Sequence, residues 1–244
     1  MSNRATSQLA YILHKRAFRD TSQILEIFSR DHGRFSLMSR GSRNPGSRQN
    51  SLLQLHRPLL LGWSGRGEMP LLVSAEPAEE KAPRLAGRSL MSAMYIDELI
   101  MYLLHRHDIN ESLFQLYHDS LYALQQVDIE PVLRLFEKRL LDCLGFSLHL
   151  ESDADSGEPL REDLYYRYLP EHGPVAVGAS RPASTQTPVL QGRALLAYAA
   201  NHLDDPQMLQ QIKQLTRHVL SHHLAGRKLR SRELFRRPVA APRE

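Results

Sequence analysis

Apolar and polar positions alternate in short runs over roughly the first 76 residues, and from Pro83 onward the spacing changes to threes and fours. Alternation is the mark of half-buried strands. Residues 10–15 (AYILHK), 23–29 (QILEIFS), 34–39 (RFSLMS), 52–61 and 70–75 carry it. Asp20, Thr21 and Ser22 form a turn-like cluster after the first run. Asp31, His32 and Gly33 make a turn that joins the second and third runs as a hairpin. The Gly, Pro, Asn and Ser of residues 41–50 (GSRNPGSRQN) read as a loop, and residues 62–67 separate the last two strands.

Five short strands in this length fit a small closed barrel; an OB-fold and an SH3-like barrel produce nearly the same pattern. The second part reads as helices. Tyr95, Leu99, Tyr102 and Arg106 share one face of residues 88–105 and just beyond, and Leu113, Leu116, Tyr117, Leu121 and Leu124 share another. Glu130-Pro131 opens a third helix, with proline expected at its first position, apolar Leu133, Phe136, Leu140 and Leu144, and Gly145 just past its end. Residues 151–161 (ESDADSGEPLR) predict an exposed acidic loop, and residues 164–177 a hairpin around residues 170–174. Helices resume near Gln191; Asp205-Pro206 caps one whose face is Leu209, Ile212, Leu215, Thr216, Val219 and Leu220, and Gly226 stops it. The expected class is α+β and multi-domain: a barrel over residues 1–80, a mainly helical domain over 81–238 with a small hairpin or loop region at about 150–190, and a tail over 239–244. No internal repeat is present.

Composition narrows the class. With 244 residues, 42% of them hydrophobic and 24% charged, the chain can bury a sizeable core. No apolar run approaches the roughly 18 residues of a membrane span, and residues 1–10 (MSNRATSQLA) have no apolar signal region, so a cytoplasmic protein is expected. One cysteine, Cys143, excludes an internal disulfide framework and cysteine-rich zinc sites, and its apolar surroundings predict a buried thiol with a packing role. The net charge of +4 hides a division: residues 1–66 hold eleven Lys/Arg against three acids, residues 67–171 nine against twenty, and residues 172–244 eleven against four. Such asymmetry points to two ends that share a polyanion and a middle that faces something else; chance clustering of solubilising charge is the alternative.

Catalytic signatures are missing: there is no P-loop, GxGxxG, GxSxG or HExxH. His218 and His222 stand four apart on a predicted helix, with His223 adjoining, but no carboxylate or thiol lies close in sequence to complete a metal site. His105 and His107 are explained by capping or solvation, and Asp97-Glu98 by a solvated helix edge. The stronger signal is basic. Arg34, Arg40, Arg43 and Arg48 fall in a stretch with no acid, and Lys15, Arg16 and Arg19 would flank the same face of a barrel. Guanidinium groups suit phosphates because the planar fork donates two hydrogen bonds to one group and releases counterions on binding. Phe18, Phe28, Phe35 and Trp63 lie among these charges, as core residues or as stacking platforms for bases. A second cluster at residues 226–237 supplies Arg227, Lys228, Arg230, Arg232, Arg236 and Arg237, where DNA contact competes with capping of a helix end.

The blocks AYILHKRAFRDTSQILEIFSRDHGRFSLMSRGSR, SAEP, YIDELIMYLL, LRLFEKRLLDCLGF and GRKLRSRELF, in that order, resemble those of the RecO family of bacterial recombination mediators. The resemblance spans about nine-tenths of the chain. It implies an N-terminal OB-fold, a helical C-terminal domain, no enzymatic activity and no cofactor. It further implies binding to single- and double-stranded DNA, annealing, and partnership with RecR and with the tail of single-stranded DNA-binding protein, SSB. RecA would be engaged indirectly, and the free chain is expected to be a monomer. In the LRLFEKRLLDCLGF block, Arg134, Phe136 and Arg139 would serve the acidic SSB tail, with a core role the alternative for Phe136. The four-cysteine zinc element of some relatives is missing, so no metal is carried over. The competing classes are an adaptor of the same fold that binds RNA or protein, and a hydrolase built on His218, His222 and a distant carboxylate.

Overall fold

In the computed structural model, which describes residues 5–44, 46–65, 67, 69–125, 128–180 and 187–235, the first strand far outruns its sequence signature. β1 (Ala5–Phe18) is long because it serves two neighbours: Ala5 to Ala10 pair with β4 (Leu59–Ser64), and Ala10 to Phe18 pair with β2 (Ser22–Ser29). The register shifts between Ile12 and His14, a bulge that bends the strand as closure requires. β2 pairs with β3 (Gly33–Ser39), and β5 (Leu71–Pro77) runs antiparallel to β4 and parallel to β3. The result is a closed barrel of order β1-β2-β3-β5-β4, an OB-like arrangement with α1 (Arg48–Leu52) between β3 and β4. Ala10, Ile12, Leu25, Ile27, Phe35, Leu37, Leu59, Leu61 and Trp63 point inward and fill it.

Residues 52–61 are not one strand, as their pattern had suggested. Leu52 ends α1, His56 takes a positive φ of 59°, and Pro58, which has no N–H for a ladder, precedes β4.

Contacts divide the chain into two compact units, Met1–Gln126 with Leu229–Glu244, and Val127–Lys228. The change of hydrophobic period near residue 83 therefore differs from the division in packing, because α2 (Gly87–Leu103) and α3 (Glu111–Ala123) belong with the barrel. Tyr11 and Phe28, opposite each other on β1 and β2, meet Phe114 and Tyr117 of α3 with ring centroids 5.1 to 5.8 Å apart. The Asp97-Glu98 pair is no solvated edge: the residues are 3% and 7% exposed. Asp97 accepts from Tyr117 Oη (2.7 Å) and bonds His56 Nε2 (2.6 Å), and burial pushes its carboxyl above the usual carboxylate range despite the pull of His56. Glu98 accepts from the Arg230 and Ser231 backbone N–H groups (2.8 and 2.9 Å) and from Ser231 Oγ (2.6 Å), anchoring the short α7 (Ser231–Leu234).

In the second unit α4 (Ile129–Cys143) packs with α6 (Pro206–His223). Pro131 is the third residue of α4 rather than the first, a place where its missing N–H is equally unneeded. Asp205 caps α6 by accepting from the Gln207 and Met208 N–H groups, and positive φ at Ala225 and Gly226 ends its run. The expected hairpin is β6 (Tyr165–Leu169) with β7 (Gly173–Gly178), and a third strand, β8 (Val189–Gln191), lies on the other side of β6 before α5 (Gly192–Ala199). The acidic loop is ordered rather than merely exposed, since buried Asp153 accepts from the N–H groups of Asp155, Ser156 and Ala176. Cys143 is only partly buried, and desolvation, then Asp142, push its thiol pKa up.

Candidate nucleic-acid interface

Cross-strand partners share a face, so the register sorts the outer surface of β1, β2 and β3 into three zones. The first is the Tyr11 and Phe28 zone that α3 covers.

The second zone is locked by a polar network. Glu26 lies opposite His14 and Ser36. Ser36 Oγ donates to Glu26 Oε1 (2.7 Å), and Arg106, from the segment after α2, donates to Ser36 Oγ (2.8 Å) and to both Glu26 oxygens (3.2 Å). Arg34 donates Nε and Nη2 to the Leu104 carbonyl (3.1 and 2.9 Å), with Nη1 3.7 Å from Glu26. The Arg34 carbonyl in turn accepts from the His107 N–H (2.8 Å). Arg34 was expected on a phosphate-binding surface; the structure spends it on joining β3 to the α2–α3 connection.

Among the described residues, neither the α3 rings nor the Glu26 network reaches the third zone. Arg16 lies opposite Ile24, Ile24 opposite Met38, and Phe18 opposite Ser22, with Arg40 following directly on β3. Arg16, Arg19, Arg40 and Arg43 are exposed, and no ion pair among the described residues holds any of them. Arg43 ties the two loops at this end together: its N–H donates to the Thr21 carbonyl (3.0 Å) and its Nη1 to the Arg19 and Asp20 carbonyls (3.0 and 3.3 Å). The β1–β2 turn, with Arg19 at a positive φ of 54°, is thereby held beside the segment that carries Arg40. Of the N-terminal cations predicted from sequence, Arg16, Arg19, Arg40 and Arg43 lie at this end of the barrel, and Arg34 and Lys15 do not.

Lys15 faces the other way. It pairs with inward-pointing Leu25 and donates Nζ to the Leu53 carbonyl (2.8 Å) at the end of α1, and burial lowers its ammonium pKa. Arg48 opens α1, but its side chain lies outside the described residues, as do Arg236 and Arg237. Of the C-terminal cations, Arg230 and the half-buried Arg232 belong to the barrel unit, whereas exposed Arg227 and Lys228 belong to the other. The anticipated stacking candidates sort as clearly: Phe28, Phe35 and Trp63 are core, and Phe18 alone of the four is half-exposed.

The residues expected to meet a protein tail are divided by burial. Arg134 is 3% exposed and donates Nη2 to Glu137 Oε1 (2.7 Å), and Phe136 is fully buried. Both belong to the interior of the second unit, and only Arg139 lies on the surface of α4. The histidines fare likewise. His222 contacts Glu171 (3.1 Å) and His223 stacks on Phe146, and among the described residues no group of three or more His, Cys, Asp or Glu is arranged to hold a metal ion. No helix of the described residues is long and apolar enough to cross a membrane.

Sequence reasoning missed Arg106, Glu26 and Glu98 as organising groups. For Glu98 a signal existed: YIDELI sets both acids inside an apolar run, which is an unusual place for a solvated edge.

Comparison with known proteins places this arrangement. Two family models match the chain, "Recombination protein O N terminal" over residues 1–80 and "Recombination protein O C terminal" over residues 84–233. Neither is a catalytic family. Curated relatives named DNA repair protein RecO match almost end to end. The one from Azoarcus sp. (strain BH72) is 39% identical over 239 residues, covering 96% of this chain and 97% of the relative. That from Dechloromonas aromatica (strain RCB) is 39% identical over 241 residues, with 97% of each covered. That from Alkalilimnicola ehrlichii (strain ATCC BAA-1101 / DSM 17681 / MLHE-1) is 41% identical over 241 residues, covering 99% of this chain and 95% of the relative. With both family models matched in order and identity of this level over nearly the whole length, the chain belongs to the RecO family of DNA repair proteins.

Proposed function

We propose that this chain binds single- and double-stranded DNA by its phosphates at the end of the barrel that carries Arg16 and Arg40, and anneals complementary strands there. The observation that carries the reading is the placement of Arg16, Arg19 and Arg40, exposed and without a carboxylate partner among the described residues, in a zone of the outer β1–β2–β3 surface that neither α3 nor the Glu26 network occupies. Guanidinium groups there neutralise phosphate charge and lower the repulsion between two strands, while base pairing supplies the free energy of annealing. No reacting group is required. Arg230 and Arg232, in the same unit as the barrel, and Arg227 and Lys228, in the other unit, are further candidates for phosphate contact.

Membership of the RecO family supports the wider role: acting at the nucleoid with RecR, and with the SSB tail, to help place RecA on coated single strands. For the SSB tail the side chain to test is Arg139, since Arg134 and Phe136 are interior.

The test is a salt titration of labelled single-stranded DNA. Each phosphate contact on a single strand contributes about 0.7 to the slope of log K against log salt, so Arg16→Ala and Arg40→Ala combined should flatten it by about 1.4 and weaken binding at low salt. An unchanged slope moves the site elsewhere.

A further inference from the structure

We propose that Phe18 is a stacking platform for an unpaired nucleobase, which makes the basic end of the barrel a reader of single strands as well as a phosphate clamp. The proposal rests on the phosphate reading above and adds to it the base.

The outer zone that carries Arg16 and Arg40 is not purely charged. Its floor is apolar: Ile24 is buried, Met38 is half-buried, and the Phe18 ring at the end of β1 shares their face by register. Phe28, Phe35 and Trp63 are committed to packing, Phe28 against Phe114 and Tyr117, and Phe35 against Trp63 at a centroid distance of 4.9 Å. Phe18 has no ring partner among the described residues. What lies over its ring is the Arg19 guanidinium, 5.3 Å from the centroid.

That contact is a template for a ligand. A nucleobase is planar and presents the same π-face whatever its sequence, so a ring paired with a guanidinium can hold it from both sides. A base entering between Phe18 and Arg19 exchanges one cation–π contact for two stacking contacts and brings its own phosphate towards Arg16 and Arg40. In a duplex the base faces are already occupied by neighbours, so only unpaired bases gain. Arg43 then has a different task from the other arginines. With its N–H on Thr21 and its Nη1 on the Arg19 and Asp20 carbonyls, it holds the turn that keeps Arg19 over the ring, which makes it a positioning residue.

The experiment compares two labelled strands of about 20 nucleotides, one of thymidines and one of abasic tetrahydrofuran units, which carry the same phosphates but only one of which can stack. The wild-type chain should bind the thymidine strand about tenfold more tightly, the ratio expected from stacking of one base. In Phe18→Leu, which keeps bulk but not the ring, the ratio should fall towards one; Phe18→Trp should keep or raise it. Thermal unfolding of each variant separates loss of the platform from loss of the fold. Equal binding of the two strands by the wild type overturns the proposal, and so does a ratio that survives Phe18→Leu in a folded protein. Failure of the wild type to bind either strand at low salt overturns the phosphate reading itself, a distinct outcome.

Discussion

Replacing Glu98 probes how the C-terminal segment is held. The side chain is 7% exposed, and all three hydrogen bonds it accepts come from the start of α7: Arg230 N–H on Oε1, Ser231 N–H and Ser231 Oγ on Oε2. A helix of four residues has no stability of its own, so its position depends on this carboxylate and on the burial of Leu229 and Ser231. Glu98→Ala strands two backbone N–H groups and a hydroxyl. Each buried donor left without an acceptor costs about 1–3 kcal/mol, but α7 can undock and rehydrate them, which caps the loss at its own docking free energy, about 2–4 kcal/mol. Glu98→Gln is the sharper test. It preserves shape, keeps one acceptor and turns a donating amide towards a donor, so a loss of about 1.5–3 kcal/mol is expected without a cavity. Because the chain has two units, the informative assay is hydrogen exchange of the full chain: the Arg230 and Ser231 amides should lose protection while those of β2 and β3 keep theirs. If both variants lose less than about 0.5 kcal/mol in denaturant and the two amides stay protected, Glu98 is not the anchor and the reasoning fails.

Gly33→Ala should separate the barrel from the α2–α3 connection. Gly33 has a φ of +65°, and a Cβ there would sit 2.2 Å from the Asp108 carbonyl oxygen. Backbone strain and overpacking together predict a loss of about 2–4 kcal/mol in chemical denaturation, with faster exchange of the His107 amide; a variant within about 0.5 kcal/mol of wild type refutes the close approach. Acid should weaken the second unit through α6. Burial, reinforced by His222, lowers the pKa of both His218 and His223 from 6.5, while Glu171, which faces His222, pulls His223 back up. The folded values lie below the unfolded ones, so this stability is whole above pH 6.5 and is lost as the pH falls below it. Denaturant midpoints of the unit's signals at pH 7.5 and 5.5, compared with those of His218→Gln/His223→Gln, check this; an equal acid shift in wild type and variant would assign it to other groups.

The barrel was legible because its strands alternate cleanly: the pairs Leu25–Leu37 and Ile27–Phe35 point in, and the residues between them point out. Strand order was not legible, since an SH3-like barrel shares the pattern and only the parallel Met38–Leu71 pairing and the β1–β4 closure decide it. The basic residues were legible as a cluster but not as individuals. Lys15 and Arg16 are adjacent and equally cationic, yet the period of two sends one to the end of α1 and the other to the surface, and the bulge at residue 13 sets which goes where. Arg34 is lost to the phosphate surface because a carbonyl 70 residues away, on Leu104, accepts from it. Arg134 is lost to the protein-binding surface because Glu137, one turn along the same helix, is buried with it. In each case the competing partner is distant in sequence or hidden by the helix period, and a charge count has no access to either.

The covering of the outer barrel surface follows from the same facts. A barrel this small cannot enclose Tyr11 and Phe28 as well as its inner set, so those two rings need a second layer, and α3 supplies it. Bringing α3 there carries the α2–α3 connection to the β2–β3 edge, where Gly33 makes room for Asp108 and Glu26 collects Arg106 and Arg34. Both coverings act at the Tyr11 and Glu26 levels and stop short of Arg16, Phe18 and Arg40. The open zone is thus what remains when the aromatic and acidic positions of the same face have recruited their partners. Moving Glu26 along β2 to the level of Ile24 would place a carboxylate between Arg16 and Met38 and neutralise that zone, so the position of one acid on one strand decides whether this face is free to meet a polyanion.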